Sequence, residues 1–251
     1  MASGYAAAER HQVLPRGWRD LLLQLGIWFG FILAYQIPRG IADRSPAVAF
    51  HNGREVIDFE SRVTGMWELT LQSWTQSSHV LGVMVSWTYW VSQFGVVGLA
   101  LLWVYLRRYE HFIRFRNVLI LSNVLGLVGY AVLPTAPPRM FPELGFVDTL
   151  ASLGTPNHGS WLVEITANPY AAMPSLHAAD SLLVGVVLAC LVRPLWLKVL
   201  WLLWPAWVWF AVMATANHFW LDILGGILVA SIAAAIVYRR PLRRALSPAP
   251  A

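Results

Sequence analysis

An all-α, polytopic membrane protein with six transmembrane helices, and an interfacial helix between spans one and two, is the fold this sequence predicts. Three observations predict it. The chain of 251 residues is 57% hydrophobic and 12% charged, with 14 tryptophans, a composition that excludes disorder and an ordinary soluble domain. Six stretches approach the roughly 20 mostly apolar residues that a bilayer span needs. The basic residues are spread unevenly over the loops between those stretches.

The elements follow in chain order. Residues 1–17 are polar and lack the apolar core of a cleavable signal, so they read as an N-terminal tail and the first apolar stretch as an uncleaved anchor. Spans are expected over 18–38, 79–106, 117–133, 174–192, 195–216 and 219–238. The fourth is short unless it starts near Pro174, which a helix tolerates in its first turn. Pro205 is expected to kink the fifth. Between spans one and two, Val56, Phe59, Val63, Trp67 and Trp74 recur at helical spacing, interrupted by Arg54, Glu60 and Arg62. That pattern fits a helix lying in the interface with its tryptophans at headgroup depth. A helix packed against the bundle fits it equally well. Residues 18–238 thus read as one six-span domain, followed by a basic tail, 239–251, that ends in "SPAPA". Cys190 allows no internal disulfide and reads as a small buried residue.

Sidedness follows from charge. With six spans, the termini and loops 2–3 and 4–5 share one side, and 13 of the 18 Lys and Arg residues fall there, leaving 5 on the other. The positive-inside rule makes the termini cytoplasmic and turns loops 1–2, 3–4 and 5–6 outward. In a membrane protein such charge sets topology, so no nucleic-acid partner is expected.

Ionisable residues inside hydrocarbon are costly and require a reason. Here they gather at the outer face: "LPTAPPRM" (133–140) after span three, "AAMPSLHAAD" (171–180) opening span four, and "ATANHFWLDILGG" (214–226) joining spans five and six. His218 and Asp222 are four apart and share a helix face if span six begins by His218. A carboxylate there holds one imidazole nitrogen and leaves the other basic. His177 can act as an acid facing that base. Arg139 follows Pro137 and Pro138, whose fixed φ stiffens its approach, and a guanidinium suits phosphate. The start of span four offers backbone N–H groups around Ser175 to Ala178 as an anion site. Together these parts suit phosphoryl transfer through a phosphohistidine. Singly, His177 also reads as a structural histidine, His218 with Asp222 as a structural pair, and Arg139 as an interfacial anchor. A zinc site from His158, His177, His218 and Asp222 matches no metal-binding spacing. Asp180, three residues past His177, has three open roles: a hydrogen-bond partner of His177, a site for headgroup or acceptor hydroxyls, or a structural partner to a neighbouring helix.

At these three blocks the chain resembles the type 2 phosphatidic acid phosphatase superfamily of integral membrane lipid phosphatases and phosphotransferases. It is most similar to the inositol phosphorylceramide synthase-like branch. The resemblance extends over about 18–238. It implies His218 as nucleophile, Asp222 as the residue that orients it, His177 as the proton donor to the leaving group, and Arg139 as the phosphate ligand, assisted near Ser175. It implies a metal-independent enzyme with no cofactor, acting on a membrane lipid substrate with water or a polar alcohol as acceptor. The phosphatase members carry Gly where this chain has Leu176, Ser-Arg where it has Ala211 and Val212, and Lys where it has Val132. The synthase-like branch shares these departures. Arg116, at the other end of span three, lies roughly 25 Å away at about 1.5 Å per residue and cannot replace the missing contacts. The rival class is a non-catalytic lipid-phosphate binder or transporter on the same fold, but neither inverted repeats nor matching broken helices are present.

Overall fold

The computed structural model describes residues 14–41, 46–153 and 169–246, with the backbone alone for 36–41 and 240–246. Among the described residues the chain is all-helical, without strands apart from one isolated bridge between Thr135 and Ala171. The long helices are α1 (Gly17–Ile41), α2 (Pro46–Val63), α3 (Trp67–Gln76), α4 (His79–Val91), α5 (Val97–Arg107), α6 (Tyr109–Val132), α8 (Leu176–Leu191), α9 (Leu195–Ala214) and α10 (Trp220–Leu246). A four-residue helix, α7 (Thr149–Ser152), lies between α6 and α8. A π-helical segment, Ser92–Val96, joins α4 to α5 into one continuous helix.

Four stretches are long and apolar enough to cross a membrane: His79–Arg107, Tyr109–Val132, Leu195–Ala214 and Trp220–Arg239. Helix α8 is apolar but shorter, with 16 residues. Three boundaries differ from expectation. Helix α6 begins eight residues earlier than the hydropathy pattern, because Tyr109, Phe112 and Phe115 pack into the core despite the charges between them. Helix α10 continues past residue 238 to Leu246, through Pro241. The segment expected as one helix between spans one and two is two, α2 and α3, broken where Gly65 takes φ +71°, a left-handed conformation that favours glycine. Their buried positions are Ala49, Gly53, Val56, Ile57 and Glu60 on α2, and Glu68, Gln72 and Thr75 on α3. Cys190, expected to be buried, is exposed on α8. His158, residues 1–13 and residues 247–251 lie outside the described residues.

One core fills the bundle, where Leu119, Phe115, Val104, Val184, Leu188 and Ala233 join α5, α6, α8 and α10. A second sits above the site, where Ala49, Val56 and Ile57 of α2 meet Phe141, Phe146 and Phe219. Close backbone approach fixes the start of α8 between two helices. A Cβ on Gly129 of α6 would lie 2.4 Å from Pro174 Cδ, and one on Gly226 of α10 would lie 2.2 Å from the Ser175 carbonyl oxygen. Only glycine lets both helices come this near to the "MPSL" turn.

Candidate active site

Backbone hydrogen bonds bring the three sequence blocks together. The Thr135 N–H donates to Tyr170 O at 2.8 Å, and the Ala172 N–H to Thr135 O at 3.2 Å, pairing the first block with the second. The Ser175 N–H donates to Asp222 O at 2.9 Å, which ties the second to the third. The Arg139 N–H donates to Ala216 O at 2.8 Å, which closes the ring. Ala216 has φ 56°, an unusual conformation for a residue with a Cβ. Such strain persists where surrounding structure over-determines it. Here the N–H groups of Asn217 and His218 both donate to Val212 O at 3.1 Å and hold the turn.

His218 does not start the last helix. It lies two residues before α10, and Asp222 reaches back to it. Asp222 Oδ2 accepts from the Phe219 N–H at 2.8 Å, as an acidic residue in a first turn often does. The same oxygen lies 3.3 Å from His218 Nδ1. The Ala172 carbonyl lies closer, at 2.9 Å from that nitrogen. A carbonyl oxygen only accepts, so Nδ1 carries the proton and Nε2 keeps its lone pair. Burial, with the Arg139 charge adding to it against the Ala172 hydrogen bond, pushes the His218 imidazole down to about 3. The ring is therefore neutral at physiological pH.

The His177 ring faces His218 with centroids 5.7 Å apart. Its Nε2 lies 3.1 Å from the Tyr89 carbonyl oxygen, and the ring stacks on Tyr89 at 4.4 Å. Ser175 caps α8, its Oγ accepting from the Ala178 N–H at 3.3 Å. Its hydroxyl and amide both hold the helix start, and the Leu176 amide, in the first turn, has no acceptor in its own helix. Arg139 sits in a short 3₁₀ turn, Pro138–Met140. Its Nη1 donates to Asn217 Oδ1 at 2.8 Å, and its Nε lies 4.0 Å from Asp148. Arg139, Asn217, His177 and His218 line one cavity of about 500 Å³, which runs down between α1 and α5 to Arg116 at the far end. There Arg116 donates to Gln24. Asp180 lines the same cavity, with Asn123 Nδ2 donating to it at 2.9 Å and Gln93 Nε2 at 2.8 Å.

Sequence reasoning did not single out Asn217, Asp148, Gln93 or Asn123. Nor did it assign roles to Glu60 and Glu68. Both glutamates are fully buried, and they accept hydrogen bonds from the Leu221 N–H at 2.9 Å and the Trp220 N–H at 2.8 Å. The signal for Asn123 was an amide inside a span; Glu60 showed only as a break in an amphipathic pattern, and Glu68 left no mark. Among the described residues, no group of three or more His, Cys, Asp or Glu is arranged to hold a metal.

A family profile described as the PAP2 superfamily matches residues 54–236. The chain is also 30% identical over 129 residues to a phosphoinositol dihydroceramide synthase of Bacteroides thetaiotaomicron, covering 46% of this chain and 42% of that protein. The chain thus spans less than half the length of that curated relative. No solved structure matches. The profile match takes in all three blocks that form the cavity's polar end, and the chain belongs to the PAP2 superfamily.

Proposed function

We propose that this protein is an integral membrane lipid phosphatase or phosphotransferase acting through a phosphohistidine on His218. One observation carries the reading: His218 Nδ1 is committed to the Ala172 carbonyl and Asp222, which leaves Nε2 as a neutral nucleophile in a cavity that also holds Arg139 and His177. In the first half-reaction Nε2 attacks phosphorus. The P–N bond forms, the P–O bond to the leaving group breaks, and the leaving oxygen takes a proton from His177. In the second, water or an alcohol attacks phosphorus and returns its proton to His177, and the P–N bond breaks back to His218. Arg139 and the helix-start amide at Leu176 stand where charge develops on the phosphoryl oxygens, so the reaction is metal-independent and takes no cofactor. Similarity to a synthase favours an alcohol acceptor over water.

Six spans complete this reading, with α1 and α8 added to the four long apolar stretches. Helix α8 rises about 24 Å, less than a full bilayer core, which recesses the site below the membrane surface. Helices α2 and α3 lie over it at the interface. The arginine distribution puts both termini in the cytoplasm and the site at the outer face. The substrate is a lipid phosphate, pyrophosphate or phosphodiester whose tails stay in the bilayer.

The test is turnover of a panel of lipid phosphates and phosphodiesters by purified protein in nanodiscs, with and without an alcohol acceptor. Wild type is expected to turn over at least one member and to trap a phosphoenzyme on rapid acid quench. His218→Ala is expected to do neither while remaining folded. A fully active His218→Ala protein ends the phosphohistidine reading and favours a different nucleophile.

A further inference from the structure

The end of the cavity remote from His218 carries a charge that the chemistry described above does not use. Arg116, half-buried on α6, lines that end. Its Nη1 donates to Gln24 Oε1, and its Nε and Nη2 donate to Asn117 Oδ1 at 3.1 and 2.7 Å. Both partners are neutral amides. They take three of the five guanidinium N–H groups, and none of the ion pairs among the described residues includes Arg116. Asp20 of α1 is held by other donors. Its Oδ1 accepts from Gln24 Nε2 at 3.1 Å, and its Oδ2 accepts from the Tyr105 and Tyr109 hydroxyls at 3.0 and 3.1 Å. Buried Gln24 thus stands between the two charges, its carbonyl turned to Arg116 and its amide to Asp20. Arg16 lies over the Tyr109 ring, 5.0 Å from its centroid. Two guanidiniums against one carboxylate leave this end of the cavity net positive. A cation beside apolar walls is costly unless an anion meets it.

Those walls define the kind of anion. Leu21 and Leu25 of α1, Leu101 and Leu102 of α5, and Phe112 of α6 line the cavity within about a turn of Gln24, Tyr105 and Arg116. Leu25 and Leu102 are also exposed, so this end opens sideways between α1 and α5 toward the bilayer. A small soluble anion would meet Arg116 and leave the leucines bare. An amphiphile with an anionic head matches both, and basic pockets between transmembrane helices on the cytoplasmic side suit anionic lipid headgroups. Length sets the consequence. Arg116 and Tyr130 both line the cavity and stand 14 residues apart on α6, roughly 21 Å at about 1.5 Å per residue. One leaflet's tails reach about 15 Å, half of a hydrocarbon core of about 30 Å. A tail entering from His218 and another entering from Arg116 need more length together than the cavity offers.

Building on the orientation and the lipid substrate proposed above, we propose that Arg116, flanked by Arg16, is a second lipid site. It binds the headgroup of an anionic phospholipid from the cytoplasmic leaflet, whose tail lies in the inner part of the cavity and competes there with the tail of the substrate. Anionic lipid in that leaflet therefore raises KM for a tailed substrate without touching His218.

Two measurements on the full chain test this. The first is native mass spectrometry of the detergent-solubilised protein with phosphatidylglycerol or phosphatidylcholine of matched tails, counting retained lipid. Wild type is expected to retain phosphatidylglycerol at least fivefold better. Arg116→Gln, which can still donate to Gln24, should bring that preference below twofold, and Arg116→Lys, which keeps the charge, should hold it above threefold. Tailless glycerol 3-phosphate should not displace the lipid. The second is turnover in phosphatidylcholine nanodiscs with increasing phosphatidylglycerol at a fixed fraction of lipid phosphate substrate. The apparent KM of wild type should rise at least threefold with kcat unchanged, that of Arg116→Gln should not, and hydrolysis of a tailless aryl phosphate should be unaffected. Equal retention of both lipids, a preference that survives Arg116→Gln, or one lost equally in Arg116→Lys overturns the site. Displacement by glycerol 3-phosphate would replace the lipid with a soluble phosphate, and equal inhibition of the aryl phosphate would overturn the shared cavity. Absence of all turnover with the retention preference intact would count against the phosphotransfer reading and leave the lipid site standing.

Discussion

Glu60 accepts the Leu221 N–H at 2.9 Å although 161 residues separate them in the chain. Glu68 does the same for Trp220 at 2.8 Å. These two amides open α10 and would otherwise lack partners. The helices α2 and α3 therefore cap the helix that carries Asp222, and through it they set the position of His218. Removing an acceptor that satisfies a buried N–H costs about 1–3 kcal/mol. Glu60→Ala is expected to lower thermal stability and to slow turnover at least tenfold with little change in KM. Glu60→Gln keeps an acceptor and should recover most of the rate. An active, stable Glu60→Ala protein would show that the cap is dispensable.

The same pair predicts a pH dependence of stability. Burial, then the Glu68 charge, raises the Glu60 carboxyl above its ordinary 4.5. Burial likewise raises Glu68. Between the ordinary and the raised values the folded state binds more protons than the unfolded one. Stability from this pair is therefore full below 4.5 and lost as pH rises through the folded values. The melting temperature in detergent should fall from mildly acidic to alkaline pH, and Glu60→Gln should flatten that slope. An equal slope in the variant would assign the effect to other groups.

Gly226→Ala tests the approach of α10 to α8. The new Cβ would stand 2.2 Å from the Ser175 carbonyl oxygen and 3.1 Å from Ala178 Cβ. Backbone cannot rotate away as a side chain would, and overpacking of this kind costs about 1–3 kcal/mol. Because Ser175 caps the helix bearing His177 and donates to the Asp222 carbonyl, activity should fall more than tenfold. Gly30→Ala on α1 is the control. Nothing lies within 4 Å of its Cβ position, so it should be neutral or slightly stabilising by helix propensity.

The sequence made the polar end of the cavity legible because each block leaves a mark there. A proline pair precedes Arg139, a proline and serine precede His177, and a carboxylate follows His218 by four residues. It did not reveal how the blocks meet. The Thr135–Ala171 bridge and the Arg139–Ala216 bond are backbone contacts, which carry no side-chain signature. The expected start at 219 is one residue before that of α10, and Asp222 reaching back to the Phe219 N–H lets His218 sit in the turn. Glu60 reads as an interruption of an amphipathic face, and nothing in the sequence singles out Glu68. Their partners are backbone amides more than 150 residues away, and no local pattern encodes such a pairing.

Arg139 and Asn217 should act as a unit. The Asn217 carbonyl oxygen fixes the guanidinium at 2.8 Å and is itself held by Asn217 Nδ2 bonds to Thr215. Lysine keeps the charge but offers no planar fork, so Arg139→Lys should lower kcat/KM at least 100-fold. Asn217→Ala frees the guanidinium without removing it and should cost about tenfold. The double variant should lose less than the product of the two, because the second change removes an interaction already broken. Strict additivity in that cycle would mean the two residues act independently.

His177 provides the sharpest division between positioning and proton transfer. Its ring is stacked on Tyr89 and aimed across 5.7 Å at His218, with its Nε2 at the Tyr89 carbonyl. A carbonyl can only accept, so Nε2 carries the proton of that bond. If His177 protonates the leaving oxygen, its loss matters in proportion to how basic that oxygen is. An alkoxide leaving group needs the proton; an aryl oxide, already weakly basic, hardly does. General acid catalysis is worth about 10²–10⁴ in rate. His177→Ala should therefore slow a lipid phosphate at least 100-fold and an aryl phosphate less than tenfold, and phosphoenzyme should still form from the aryl ester. In wild type the rate should change little as the leaving-group pKa is varied, while in the variant it should fall steeply as that pKa rises. Parallel losses on both esters, with the same leaving-group dependence as wild type, would make His177 a residue that positions substrate and not the acid.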